Sequence, residues 1–193
     1  MEDRRLSAMI ASAKAGQADG YEALMEAFGS RLYGYFFRAT RSHHDAEDLL
    51  GELMLRLVRT LKDYDERGRF EQWLFRVAAN MVRDRIRRIK ARVAPVSLSA
   101  ERESGETLAD RIPDRSRPAD AAMMAQEAAQ GLDEALDKLD TVTREMVLLR
   151  HYGQMSFKEL SELFDCPLGT ALARVHRGLK MLRRLMGAED KDA

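Results

Sequence analysis

Six basic residues fall within ten positions, Arg83, Arg85, Arg87, Arg88, Lys90 and Arg92, and Asp84 is the only acid among them. A guanidinium fork matches phosphate and guanine edges, and a run of cations with so little local neutralisation is suited to a polyanion rather than to an ordinary solvated helix face. Asn80 precedes the run by less than a turn. Tyr64 and Phe70 flank a short polar loop just upstream, where two aromatics could wall a pocket for an unstacked base. A second basic set, Arg174, Arg177, Lys180, Arg183 and Arg184, lies near the C-terminus with Thr170 and His176 among it. Lys+Arg and Asp+Glu are both 32, so any electrostatic argument depends on this clustering and not on net charge.

Chemistry of other kinds finds little support. No serine, histidine and carboxylate set, phosphate-cradling glycine loop or paired carboxylates occurs in a catalytic context, so the chain is not read as an enzyme. His43, His44 and Asp45, or His151, His176 and Cys166, lack the paired spacing of a zinc site, and neither metal nor cofactor is expected. Cys166 is the single cysteine and is read as packing in a turn. The opening "MEDRRLSAMIASA" has acids and no long apolar run, which points to a reduced, cytoplasmic protein without membrane insertion.

The elements that must position these residues are helical throughout. Leu24, Met25, Phe28, Leu32, Tyr35 and Phe36 keep one amphipathic spacing. Ala46, Leu49, Leu50, Leu53, Leu57 and Leu61 keep another, with Asp45 a possible cap. Phe70, Trp73, Leu74, Val77 and Met81 form a third stripe that runs into the basic cluster. Trp73 is assigned to this stripe and to packing. Gly51 costs its helix roughly 1 kcal/mol against alanine, which a close helix crossing would explain. From Val93 to Ala119 the periodicity fails amid Pro95, Pro113 and Pro118, predicting a flexible linker. It resumes through Leu132, Leu136, Leu139, Met146 and Leu149. Ser156 and Glu159 then fit a capping box, Asp165 to Pro167 a turn, and Leu168, Ala171, Val175, Leu179 and Leu182 a longer helix. A short capped helix, a tight turn and a basic helix predict a helix-turn-helix. The expectation is an all-α chain of two small domains, 1–92 and 120–187, joined by a 93–119 linker and followed by a disordered tail, 188–193.

In this order and spacing the chain resembles bacterial sigma factors of the extracytoplasmic-function group, in the sigma-70 family. "DAEDLLGELMLRLVR" resembles the helix that grips the clamp of core RNA polymerase, "FEQWLFRVAANMVRDRIRR" the segment that opens and reads the promoter −10 element, and "LDTVTREMVLLRHYGQMSFKELSELFDCPLGTALARVHRGLKMLR" the domain that reads the −35 element. The resemblance implies an alternative sigma factor whose partners are promoter DNA, core polymerase through its clamp and flap, and an anti-sigma factor. It implies −10 contacts at Asn80, Arg83 and Arg87, to which Arg88, Tyr64 and Phe70 are added, and polymerase contacts among Asp45, Asp48, Leu49, Glu52, Leu53 and Leu57 or in the core beneath them. The −35 contacts expected are Arg174, His176 and Arg177 to bases, with Thr170 and Lys180 to phosphates.

One departure stands out. "GTALAR" puts Leu172 and Ala173 where relatives usually carry a basic residue and a serine. Packing beside Leu168 and Val175 is the favoured role for Leu172, and contact with a thymine methyl the other. Two other functions stay open: a sigma-like decoy that sequesters an anti-sigma factor, and a stand-alone helix-turn-helix regulator.

Overall fold

The computed structural model describes residues 2–65, 68–93 and 119–187, and all the elements among them are helical. They fall into two compact units, within residues 1–105 and 106–193.

The first unit contains α1 (Glu2–Lys14), α2 (Ala18–Thr40), α3 (His43–Thr60), a single 3-10 turn at Leu61–Asp63, and α4 (Phe70–Val93). Helix α1 was not anticipated. Its Ile10 and Ala13 are buried, and α1 doubles back onto α2 through a turn in which Gly16 has φ +78°. Gly20 makes that pairing possible: a Cβ there would lie 2.3 Å from the Ala13 backbone nitrogen. Helix α2 buries Leu24, Phe28, Leu32, Tyr35 and Phe36, and ends where Arg41 takes a left-handed φ of 61° and donates its N–H to Phe37 O at 2.6 Å.

Ser42, not Asp45, caps α3. Its hydroxyl oxygen accepts the Asp45 amide at 3.1 Å, which frees the Asp45 carboxylate for another partner. Ala46, Leu49, Leu50, Leu53 and Leu57 form the buried stripe as expected. The close crossing expected at Gly51 is absent: the residue is exposed, and a Cβ there would meet nothing within 4 Å. Helix α4 buries Phe70, Leu74, Phe75, Ala78, Ala79, Met81 and Val82, each large side chain worth roughly 1.5–3 kcal/mol of transfer from water.

The second unit contains α5 (Ala119–Asp137), α6 (Thr141–Tyr152), α7 (Phe157–Leu163) and α8 (Leu168–Leu185). The expected capping box is present at α7: the Glu159 amide donates to Ser156 Oγ at 3.2 Å, and the Ser156 amide to Glu159 Oε2 at 2.8 Å. Asp165, at φ +47°, turns the chain toward α8, and the Cys166 amide donates to Ser161 O at 3.0 Å. Gly178 lets α8 cross α6 closely, since a Cβ would come within 2.8 Å of Thr143 Cγ2 and 3.0 Å of Val147 Cγ2. Leu136, Met146, Leu149, Met155, Leu160, Ala171 and Val175 fill the core. The linker and tail expectations fall on 94–118 and 188–193, which lie outside the described residues.

Candidate nucleic-acid interfaces

In the first unit, the basic run on α4 is divided by how its members are engaged. Arg85 turns back onto α3: its Nε donates to Asp45 Oδ1 at 2.8 Å and its Nη2 to Asp48 Oδ2 at 2.9 Å. The bond to Asp45, foremost, raises the already high Arg85 pKa against an opposing effect of burial. The run, poor in local acids, thus finds acidic partners 37 and 40 residues away in sequence, and Asp45 and Asp48 fasten α4 to α3. Among the described side chains, Asn80, Arg87 and Arg88 are exposed, with Arg87 also paired to Asp84 one turn earlier and Arg83 half-buried; the side chains of Lys90 and Arg92 lie outside the described ones.

Tyr64 and Phe70 are buried, at 8% and 1% exposure, and so do not present a free wall to a base. They pack against each other with ring centroids 5.5 Å apart, and Trp73 lies 4.7 Å from Tyr64 and 5.6 Å from Phe70. Three aromatic rings packed on one another are better served by burial than by solvent. Lys14 of α1 reinforces the place: its Nζ donates to Tyr64 O at 2.6 Å. The aromatics thus pack together at the start of α4.

On α3, Leu49, Leu53 and Leu57 are core, at 2% exposure or less, which assigns them beneath any contact surface and not on it. Glu52 is exposed and lines a groove between α3 and α4 with Leu55, Arg56, Arg59, Met81 and Arg88. Leu55 and Val58 are 62% and 53% exposed. Sequence reading had passed over both. The available signal was that each lies off the Leu49, Leu53 and Leu57 stripe, on an otherwise charged face.

In the second unit, α8 shows Leu168, Gly169, Leu172, His176, Arg177 and Lys180 to solvent. Thr170 is half-buried. Arg174 is not on the outer face: its Nη1 donates to Asp140 Oδ1 at 3.1 Å and to Thr143 Oγ1 at 3.2 Å. Asp140 also caps α6 by accepting the Thr143 amide at 3.0 Å. The Thr143 hydroxyl, foremost, then its amide and the Arg174 charge hold the Asp140 carboxyl below the usual range against an opposing effect of burial. Arg174, one of the expected base contacts, ties α8 to α6 in the free chain. His176 stacks on Phe157 with centroids 6.1 Å apart, and Arg150 lies over the other ring partner of that stack, 5.0 Å from the Phe157 centroid. Leu172, expected to pack, is 43% exposed.

The chain thus has two compact helical units, one with a basic helix face and one with a helix-turn-helix. The sigma-70 region 2 family model matches residues 24–92, and the sigma-70, region 4 model matches residues 129–182. The RNA polymerase sigma factor CarQ of Myxococcus xanthus is 34% identical over 172 residues, spanning 89% of this chain and 92% of its own. The ECF RNA polymerase sigma factor SigW of Bacillus subtilis (strain 168) is 27% identical over 175 residues, 91% of this chain and 93% of its own. The chain belongs to the extracytoplasmic-function group of sigma-70 family RNA polymerase sigma factors. Solved structures share the fold: the sigma factor RpoE in complex with the anti-sigma factor NepR from Bartonella quintana, at a TM-score of 0.68 and 18% identity, covers 88% of this chain and 98% of its own. CnrH in complex with the cytosolic domain of CnrY, at 0.59 and 21%, covers 94% and 97%. Among the described residues no helix is long and apolar enough to cross a membrane.

Proposed function

We propose that this chain binds core RNA polymerase in the cytoplasm and directs it to promoters, with the first unit engaging polymerase and the −10 element and the second the −35 element. The observation that carries the proposal is the outward placement of Asn80, Arg87 and Arg88 on α4 together with His176, Arg177 and Lys180 on α8, in a chain of this family. Phosphate neutralisation by such side chains supplies affinity without regard to sequence, and base-edge contacts then select the site. The exposed Leu55 and Val58, with Glu52, Arg56 and Arg59 around them, supply an amphipathic face for the polymerase clamp. Asp45 and Asp48 support that face through Arg85. Polymerase carries out the chemistry.

Regulation by an anti-sigma factor belongs to the same proposal. RpoE is described in complex with one, and a partner that covers the α4 and α8 faces would block both DNA contacts. The test is reconstitution: gel filtration of the chain with core polymerase, then run-off transcription from a promoter library. Co-elution and selective initiation are expected. Failure to co-elute, with duplex DNA still bound, would favour a stand-alone regulator; co-elution without initiation, a decoy.

A further inference from the structure

The groove-entering end of α8 lacks the polar side chains that usually read base edges. N-terminal residues of a recognition helix make most base contacts, and here the outward ones are Leu168, Gly169 and Leu172, with Ala173 half-buried beside them. Leu168 and Leu172 are 53% and 43% exposed. Thr170 and Arg174 each stand two residues from Leu172, about 200° around the helix and so nearly opposite it. Arg174 is in addition held by Asp140 and Thr143. Leu172 is therefore not core, and the polar residue on its own side, His176, is engaged in a stack on Phe157.

We infer that Leu172 reads the 5-methyl group of a thymine in the −35 element. The inference rests on the promoter-binding function proposed above and names a contact within it. Three observations choose DNA as the occupant. Helix α8, Leu168–Leu185, carries no acidic residue, so its surroundings suit a polyanion. Leu172 and Arg177 are five residues apart, about 140° around the helix, and so flank a front made by Ala173, His176 and Lys180. The thymine methyl is the apolar group that bases present in the major groove. A helix with a leucine at one edge of that front and an arginine at the other can take a thymine on one side and a guanine on the other. The Arg177 Nε donates to Ala173 O at 3.2 Å, which braces the guanidinium and leaves its terminal nitrogens for such a pairing.

The experiment uses holoenzyme assembled from core polymerase and the full chain. A −35 element is first selected from duplexes randomised in that region, and each thymine in it is then replaced singly by deoxyuridine, which removes the methyl group and leaves every hydrogen-bonding group in place. At one position binding should fall about fourfold, the worth of one methyl withdrawn from water. With Leu172→Ala the thymine and uracil duplexes should bind alike, while Leu172→Met should restore a preference for thymine. Leu172→Ala should fold, because Leu172 is 43% exposed and lies outside the buried core. Tolerance of uracil at every position by the unaltered chain would overturn the inference but leave promoter binding intact, as would a methyl preference that survives in Leu172→Ala. Loss of polymerase binding in Leu172→Ala with the uracil effect retained would show that the leucine docks protein and also overturn it. A holoenzyme that selects no −35 sequence would overturn the promoter-binding function along with it.

Discussion

Arg85 of α4 bridges Asp45 and Asp48 of α3 with bonds of 2.8 and 2.9 Å, so a cation in the middle of a run suited to DNA is committed to holding two helices together. Its side chain is 22% exposed, against 79% for Arg87 two positions on. Arg85→Ala should destabilise the first unit by about 1–2 kcal/mol, since it removes two charge-assisted bonds and leaves two carboxylates facing each other. Arg87→Ala should change stability by less than about 0.5 kcal/mol, as expected for an exposed pair. Urea denaturation of both variants checks this. Equal losses would show that the bridge contributes nothing beyond an ordinary surface pair.

The two glycines that sequence treats alike should respond in opposite directions. Gly51→Ala should stabilise by about 0.5–1 kcal/mol, because the site is open and alanine is the better helix former. Gly20→Ala should destabilise by about 2 kcal/mol or more, because its Cβ would press on the Ala13 backbone, which cannot rotate away as a side chain can. Thermal melts followed by circular dichroism would separate them.

How much of this was legible beforehand depended on whether the signal was periodic. The Leu24 to Phe36 and Leu49 to Leu57 stripes, the Ser156 and Glu159 box and the turn before α8 repeat at helical spacing or follow local capping rules, and their elements were recoverable. Helix α1 was passed over because, among its described residues, Ile10 and Ala13 alone are core, too few to mark a stripe. Asp45 looked like a cap because Ser42, three residues earlier, competes for the same task. The tertiary bonds of Arg85 and Arg174 were not legible for a shared reason: each sits in a basic cluster, but its partners lie 31 to 40 residues away and meet it only through packing. Tyr64 and Phe70 were misplaced because aromatics at a loop root read the same whether they face a ligand or one another.

Asp140 gives the second unit a sensitivity to acid. Its carboxyl is held low in the folded state, chiefly by the Thr143 hydroxyl and with the Thr143 amide and Arg174 contributing. A depressed carboxyl contributes stability above its unfolded pKa and loses it as pH falls through the folded one, so the loss should appear below pH about 4. Asp140→Asn keeps a competent cap but carries no charge, and should flatten that part of the pH dependence. Melting of the second unit's transition between pH about 5 and about 2.5 would show it. An unchanged slope in Asp140→Asn would mean that other carboxylates govern the acid response.

Arg174 and Arg177 are three residues apart on α8, yet they should give different phenotypes. Arg174→Ala breaks the tie to Asp140 and Thr143, so it should lower the stability of the second unit and reduce transcription from all −35 variants in proportion. Arg177→Ala removes an exposed guanidinium at the edge of the helix front, and should change which −35 bases are preferred, with about 1–3 kcal/mol of discrimination lost at one base pair. Lys180→Ala, further along where the helix leaves the groove, should weaken every variant alike and lower the salt dependence by about one phosphate contact. A panel of −35 variants transcribed across salt concentrations resolves the three. If Arg174→Ala instead alters base preference at full stability, its bonds to Asp140 and Thr143 must open when α8 meets DNA, and the arginine joins the reading face only in the complex.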